Sequence, residues 1–357
     1  MMTFRKRWIS IGLLTAILMQ MLMLFSLSGC YHEADAQPAQ RSEAASAGST
    51  DLSAAALPMA KTLPEPEPEP TEPEPTQPPR RSQDVDWPSP PVVYARCCFV
   101  YDCKDQDFRY MYGAEDRILY PASVTKIMTA YVALRYLPLE REILIGEEVG
   151  MILGPRSSQI RVRPGEIITM EELLKGMLIP SGCDAAYVMA AAAGRVIAGD
   201  EDLYYRDAVA VFVEEMNKVG EELGLVNSSF ATPDGQHRKN HYICLSDYAR
   251  IAAACMEVEA IRETVCQQTA TVTLRSGRTI KVTSTNPHIN PDSKYYIPEC
   301  VGLKTGSSKY ARLNLITAYW VEDRYILVGV FSDLIEQYRS LDTVRLFNTY
   351  GKFPEEA

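Results

Sequence analysis

Between Thr62 and Arg80 the chain reads Thr-Leu-Pro-Glu-Pro-Glu-Pro-Glu-Pro-Thr-Glu-Pro-Glu-Pro-Thr-Gln-Pro-Pro-Arg. Proline at alternate positions forbids a helix, because it lacks the N–H and clashes with the preceding turn. The glutamates between the prolines repel one another and extend the chain. At ~3.1 Å per residue for polyproline II, such a segment reaches up to ~60 Å and acts as a stiff spacer. Residues 31–60 upstream are rich in Ala, Ser and polar side chains and show no periodicity. The two stretches predict a disordered Pro/Glu-rich linker over residues 31–83, and confine any folded domain to residues 84–357.

Upstream of the linker, Arg5-Lys-Arg7 precedes a mostly apolar run to Leu27, the pattern of a secretory signal. The run ends Leu27-Ser-Gly-Cys30 and resembles the bacterial lipobox, whose cysteine receives lipid and becomes the mature N-terminus. The resemblance implies a lipoprotein signal peptide over residues 1–30, a lipid on Cys30, and an extracytoplasmic protein anchored to the bacterial cell membrane. A plain signal peptide or an uncleaved anchor would place the domain on the same side.

The formal net charge is −10, and the chain carries no basic cluster beyond the N-terminal triplet. That argues against a nucleic-acid partner. Eight cysteines besides Cys30 are too sparse for a disulfide framework and read mostly as buried free thiols. Cys97 and Cys98, adjacent in a strand-like run, should point to opposite faces. A Cys98–Cys103 bridge across a turn is an alternative. His237-x-x-x-His241-x-x-Cys244 has zinc-like spacing, but no nearby Cys-x-x-Cys completes a site, so no metal or other cofactor is expected.

Val92–Tyr101 with Asp107–Tyr112, and Thr269–Leu274 with Thr279–Thr283 around Ser276-Gly277, read as hairpins. Val301–Thr305, Leu313–Trp320 and Arg324–Phe331 read as three strands. Helical spacing marks the stretch after Lys126, then Glu171–Met177, Ala185–Ala193, Asp207–Leu223 and Leu334–Tyr350. Strands at both ends with helices between predict an α/β (α+β) fold: an antiparallel five-stranded sheet flanked by helices, with a mostly helical insert. The last helix leaves no room for a further domain or a C-terminal membrane helix.

Tyr120-Pro-Ala-Ser-Val-Thr-Lys126 contains the chain's only Ser-x-x-Lys. On a helix it puts Ser123 and Lys126 on one face, one turn apart. A serine hydroxyl is a poor nucleophile until a base takes its proton, and a lysine so placed can be that base. Ser181-Gly-Cys183 and Lys304-Thr-Gly306 follow in order.

That order resembles the penicillin-recognising serine enzymes. The flanking text narrows the likeness to low-molecular-mass penicillin-binding proteins of the serine-type D-alanyl-D-alanine carboxypeptidase family. It includes Gly154-Pro-Arg-Ser-Ser-Gln-Ile-Arg-Val-Arg-Pro-Gly-Glu166, Leu173-Leu-Lys-Gly-Met-Leu-Ile-Pro-Ser-Gly-Cys-Asp-Ala-Ala186, Phe212-Val-Glu-Glu-Met-Asn-Lys218, Leu223-Gly-Leu225 and His241-Tyr242. The resemblance covers roughly Val92 to Lys352 and implies a penicillin-binding-protein/β-lactamase-like fold. It also implies two ligands, peptidoglycan stem peptides ending in D-Ala-D-Ala and β-lactam antibiotics.

The resemblance further implies roles. Ser123 attacks the carbonyl of the penultimate D-alanine, and Lys126, held neutral beside the cation of Lys304, accepts its proton. Ser181 relays a proton to the leaving nitrogen. Lys304 and Thr305 bind the terminal carboxylate. Gly306 lets substrate lie against the strand edge, and the backbone N–H groups of Ser123 and Ser307 form the oxyanion hole. Two positions depart from the family. Cys183 stands where asparagine is usual, and Thr232-Pro-Asp-Gly235 where Asn-Pro-His-Gly is common; the second loop reads as structural. Three rivals remain: a DD-transpeptidase, a catalytically impaired penicillin- or wall-binding lipoprotein, and a class A β-lactamase. The last needs a deacylating glutamate, for which Glu214-x-x-Asn217 is the nearest candidate.

Overall fold

The computed structural model describes residues 80–81, 87–152, 154 and 157–354. The expected signal peptide, Cys30 and all of the expected linker but Arg80 and Arg81 lie outside the described residues.

In chain order the structure opens with strands β1 (Arg80–Arg81), β2 (Cys97–Asp102) and β3 (Asp107–Tyr112). A 3-10 turn, Ala122–Thr125, leads into helix α1 (Lys126–Ala133). Short strands β4 (Glu142–Leu144) and β5 (Ile167–Thr169) pair beside helices α2 (Met170–Leu178), α3 (Cys183–Ala198) and α4 (Tyr205–Glu222). Helices α5 (Leu245–Glu257) and α6 (Glu259–Val265) follow, then the hairpin β6 (Thr269–Thr273) and β7 (Thr279–Thr283). Strands β8 (Cys300–Ser308), β9 (Arg312–Val321) and β10 (Arg324–Asp333) and helix α7 (Glu336–Tyr350) complete it.

The main sheet runs β1-β3-β2-β10-β9-β8, antiparallel throughout. The five expected strands are all present. The sixth lies in the segment expected to be linker, where Arg80 and Arg81 pair with Met111 and Tyr110. Strand β3 would otherwise leave a row of backbone groups unpaired at the sheet edge. A second difference concerns the stretch from Val92, expected to begin a strand. Pairing with the sheet starts at Cys97, because the Asp342 carboxylate on α7 takes the amides of Tyr94 and Ala95 at 2.6 and 2.8 Å.

Each face of the sheet has its own core, as alternation along a strand requires. Cys97, Phe99, Tyr101, Leu327 and Phe331 face the helical insert. Cys98, Val100, Val328, Val330 and Tyr319 face α7 through Leu346, Phe347 and Tyr350. The eight cysteines among the described residues are free thiols, five of them buried. The Cys98–Cys103 bridge is not formed, because Cys98 packs towards α7 while Cys103 packs on the opposite face. Helices α5 and α6 were not anticipated.

Candidate active site

The site lies where the insert meets strand β8, in a cleft of ≈ 620 Å³ lined by Ser123, Ser181, Cys183, Asp234, Thr305 and Ser307 among others. Pro121 starts the turn that carries Ser123. The serine stands one turn before α1, in the 3-10 segment rather than in the helix itself. Side chains three apart eclipse in that geometry, so Ser123 and Lys126 still face together. Lys126 Nζ donates to Ser123 Oγ at 3.0 Å, to the Asp234 carbonyl at 2.9 Å and to Cys183 Sγ at 3.4 Å. Lys126 is fully buried.

The turn is held from three sides. Ala122 sits at φ +49, a left-handed conformation that costs a non-glycine residue on the order of 1–3 kcal/mol. A Cβ on Gly235 would meet the Ala122 carbonyl at 1.8 Å, so only glycine fits against this turn. Buried Asn314 on β9 donates to the carbonyls of Tyr120 and Pro121 at 2.9 and 3.2 Å. Gly306 on β8 also packs against the turn. Its Cβ would stand 2.8 Å from the Pro121 carbonyl and 3.0 Å from Val124 Cγ2. The glycine of Lys-Thr-Gly therefore already serves the packing of strand against turn, a reason separate from the substrate contact the sequence suggested.

Opposite stands Lys304, also buried, its Nζ donating to the Thr305 carbonyl at 3.0 Å. Burial first, then the facing charge of Lys126, push the Lys304 ammonium well below its ordinary value. Thr305 Oγ1 shares a 2.5 Å hydrogen bond with Thr285, just beyond β7.

The second motif, Ser181-Gly-Cys183, reaches the cleft on another strained turn, with Ser181 at φ +69. Asp184, at the start of α3, accepts from the amides of Ile160 and Arg161 at 3.0 and 2.6 Å. The Cys183 amide donates to the Ser158 carbonyl at 2.8 Å. Those bonds explain why the text around Ile160 accompanies Ser181-Gly-Cys183 in sequence. Ser181 lines the cleft, but the side chain this turn joins to Lys126 is that of Cys183.

The loop read as merely structural proves to be part of the site. Asp234 offers its carbonyl to Lys126, and Gln236 and His237 form the cleft wall. The zinc-like triplet disperses. His241 Nδ1 accepts from the amides of Ala231 and Thr232 at 3.1 and 3.2 Å, so Nε2 carries the proton and donates to Thr125 Oγ1 at 2.9 Å. His237 stacks on Tyr310 with ring centroids 3.9 Å apart. Cys244 pairs with Ser246. Glu214 faces solvent. Asn217 fastens Phe230 at the start of the loop, so the pair offers no deacylating base.

A cleft serine bonded to one of two buried lysines, set between an antiparallel sheet and a helical insert, is the arrangement of the penicillin-recognising serine class. Within it the chain belongs to the Peptidase_S11 family, D-alanyl-D-alanine carboxypeptidase, whose profile matches residues 91–332. It is 33% identical over 245 residues to the D-alanyl-D-alanine carboxypeptidase DacF of Bacillus subtilis, covering 66% of this chain and 58% of that protein. It is 29% identical over 233 residues to a D-alanyl-D-alanine carboxypeptidase of Streptomyces sp. K15, covering 64% of this chain and 77% of that one. The solved Streptomyces K15 DD-transpeptidase superposes with a TM-score of 0.65 at 25% identity, over 73% of this chain and 98% of that one. Variants of that enzyme have been solved with a serine changed to alanine and with a cysteine two residues further on changed to alanine or asparagine. Ser181 and Cys183 have the same spacing.

Proposed function

We propose that the chain is a serine DD-carboxypeptidase. It removes the terminal D-alanine from peptidoglycan stem peptides through an acyl-enzyme on Ser123, and β-lactams block it by acylating the same oxygen. The observation that carries this reading is Ser123 Oγ at 3.0 Å from Lys126 Nζ, in a cleft also lined by Thr305 and Gly306, with Lys304 buried next to them on β8.

The substrate's terminal carboxylate binds at Lys304 and Thr305. Its negative charge favours a proton on Lys304, which buried and empty resists one. Two ammonium groups facing one another in a dry site are unfavourable, so a charged Lys304 favours Lys126 as the free amine. Lys126 then takes the Ser123 proton as Oγ attacks the carbonyl carbon. The amides of Ser123 and Ser307 hold the resulting oxyanion, each such donor being worth ~3–4 kcal/mol. The intermediate collapses, the C–N bond breaks, and Ser181 passes the proton to the departing D-alanine. Water then hydrolyses the ester.

The Ser-x-Cys spacing of the K15 DD-transpeptidase favours a second reading, in which an amine rather than water takes the acyl group. Incubating the domain with a D-Ala-D-Ala peptide, with and without an amine acceptor, and weighing the products separates the two. Labelled penicillin should form a stable adduct on the Ser123 peptide and none on Ser123→Ala. Labelling that survives the substitution refutes the mechanism. Acylation without any turnover points to a penicillin-binding lipoprotein instead.

The reading places the domain outside the cytoplasm, held by a lipid on Cys30 and set off from the membrane by the Pro/Glu spacer. Among the described residues no helix is long and apolar enough to cross a membrane. Intact mass of membrane-extracted protein should show a diacylglyceryl group on Cys30; mature protein that begins elsewhere without lipid removes this part of the proposal.

A further inference from the structure

Three aromatic rings meet at one end of the cleft. Tyr310 stands in the turn between β8 and β9, and His237 in the loop that gives Lys126 its Asp234 carbonyl. The two rings stack with centroids 3.9 Å apart and planes 20° from parallel. Tyr120, just before the Ser123 turn, meets His237 edge-on at 4.5 Å. Both members of the stack line the cleft, yet Tyr310 is 58% exposed, so core packing does not account for it. Aromatic rings left bare beside a cleft are apolar surface for a ligand to cover. The backbone under each ring is fixed. Gly235 lies against the Ala122 carbonyl, and the Asp234 carboxylate accepts from the Gln236 amide at 3.0 Å, which holds the His237 loop. The Ser308 hydroxyl accepts from the Ala311 amide at 2.9 Å, which holds the Tyr310 turn.

Strand β8 closes one end of the main sheet, and Thr305, Gly306 and Ser307 on it line the cleft. Such an edge takes an extended peptide as a further strand. The acyl-enzyme reading sets the direction of that peptide. Its terminal carboxylate sits at Thr305 and the carbonyl under attack faces the Ser307 amide, so the chain upstream runs on towards Ser308. An extended chain advances ~3.3 Å per residue, which puts the residue before D-Ala-D-Ala ~7 Å from the terminal one. Strand β8 covers the same ~7 Å between Thr305 and Ser307. A long side chain at that position reaches the turn in which Tyr310 stands.

We infer that the His237–Tyr310 stack is a specificity-determining wall for the residue that precedes D-Ala-D-Ala. The rings take the methylenes of a long aliphatic side chain there and leave its polar end in solvent, as amphipathic side chains prefer. The favoured substrates are stem peptides with a long-chain diamino residue at that position. The inference rests on the acyl-enzyme reading, and labelling of wild-type Ser123 by penicillin tests that reading separately.

Two peptides test it, Nα,Nε-diacetyl-L-Lys-D-Ala-D-Ala and acetyl-D-Ala-D-Ala. Acetylation removes the side-chain charge, so the cation of Lys309 in the same turn does not enter the comparison. The readout is the ratio of kcat/KM for the longer peptide to that for the shorter, with hydrolysis and transfer counted together. Tyr310→Ala should lower that ratio about tenfold, equivalent to about 1.4 kcal/mol. His237→Ala should lower it in the same sense, and Tyr310→Phe, which retains the ring, should leave it unchanged. A loss equal for both peptides would mean that the stack merely braces the Asp234 loop. A ratio that rises would mean that it obstructs long side chains. Either result overturns the inference. Should wild type turn over neither peptide, the protection each gives Ser123 against labelled penicillin yields the same ratio, so the wall is tested apart from turnover. Penicillin that leaves Ser123 unlabelled removes the acyl-enzyme reading and the inference with it.

Discussion

Lys126 and Lys304 are both buried lysines in one cleft, yet their surroundings differ. Lys126 has three acceptors, contributed by its own turn, by α3 and by the loop after Phe230. Lys304 has one, the carbonyl of the next residue on its own strand. A lysine nitrogen with several partners is held in one place, as a group that meets a reacting oxygen must be. A poorly satisfied buried one waits for an anion. Under the proposed mechanism the contrast separates a lysine built for geometry from a lysine built for binding, although both appear in sequence as lysines beside small residues.

Removing the geometric lysine should have the largest effect. Lys126→Ala should slow acylation of Ser123 by labelled penicillin on the order of 10²–10⁴-fold while the fold persists, the range typical of a lost general base. A rate within a few-fold of wild type would mean that another group takes the proton and would erase the contrast.

Removing the binding lysine should cost less. Lys304→Ala should weaken capture of carboxylate-bearing substrates about 10–100-fold, the value of a charge-assisted bond of about 1.5–3 kcal/mol. It should affect substrates lacking that carboxylate far less. The pH sense follows from the depressed lysine. Its folded pKa lies below the unfolded one, and carboxylate binding must restore the proton, so binding takes up a proton and weakens as pH rises. Calorimetry in buffers of different ionisation enthalpy should show that uptake in wild type and not in Lys304→Ala.

The burial that depresses Lys304 also acts on the Lys126 side of the site, where His241 fastens Thr125. Burial pushes His241 down to about 4. Between about 4 and the ordinary histidine value the unfolded chain binds the extra proton, so stability rises with pH across that window. The difference is worth about 3 kcal/mol at about 1.36 kcal/mol per pH unit. His288, buried and likewise pushed down to about 4, adds a second increment of the same sign. Denaturant midpoints measured from pH 7 to 4 should fall, and His288→Asn should flatten part of that fall while leaving acylation intact.

How much of this was legible in sequence follows from how local each cause is. The sheet and most helices showed because alternation and 3.6-residue spacing are written in neighbouring side chains, and the three short motifs singled out in sequence meet at one cleft. What did not show depends on contacts distant in sequence. Asp234 reaches Lys126 through a main-chain carbonyl, which no residue type announces. Asn314 holds the Ser123 turn from a strand 193 residues away. Gly306 looked like a substrate feature and is also a packing requirement. The depression of Lys304 depends on three-dimensional burial, which spacing cannot weigh.

The smallest predicted effect sharpens the contrast from the binding side. Thr305 stands beside Lys304 and would take the other oxygen of a carboxylate, but its hydroxyl already shares a 2.5 Å bond with Thr285. If Thr285 accepts, the Thr305 proton is spent in the free site; if Thr285 donates, Thr305 keeps its proton for the ligand. Thr285→Val removes the partner and keeps the shape. In the donating arrangement it leaves Thr305 free to rotate, and KM for a D-Ala-D-Ala peptide should rise by less than tenfold, in line with about 0.5–1.5 kcal/mol for one neutral hydrogen bond. The kcat should hold, because Thr285 touches neither Ser123 Oγ nor Lys126. A fall in KM would identify Thr285 as the acceptor that competes with substrate. A fall in kcat of more than a few-fold would tie the Lys304 side to the chemical step and remove the distinction between the two lysines.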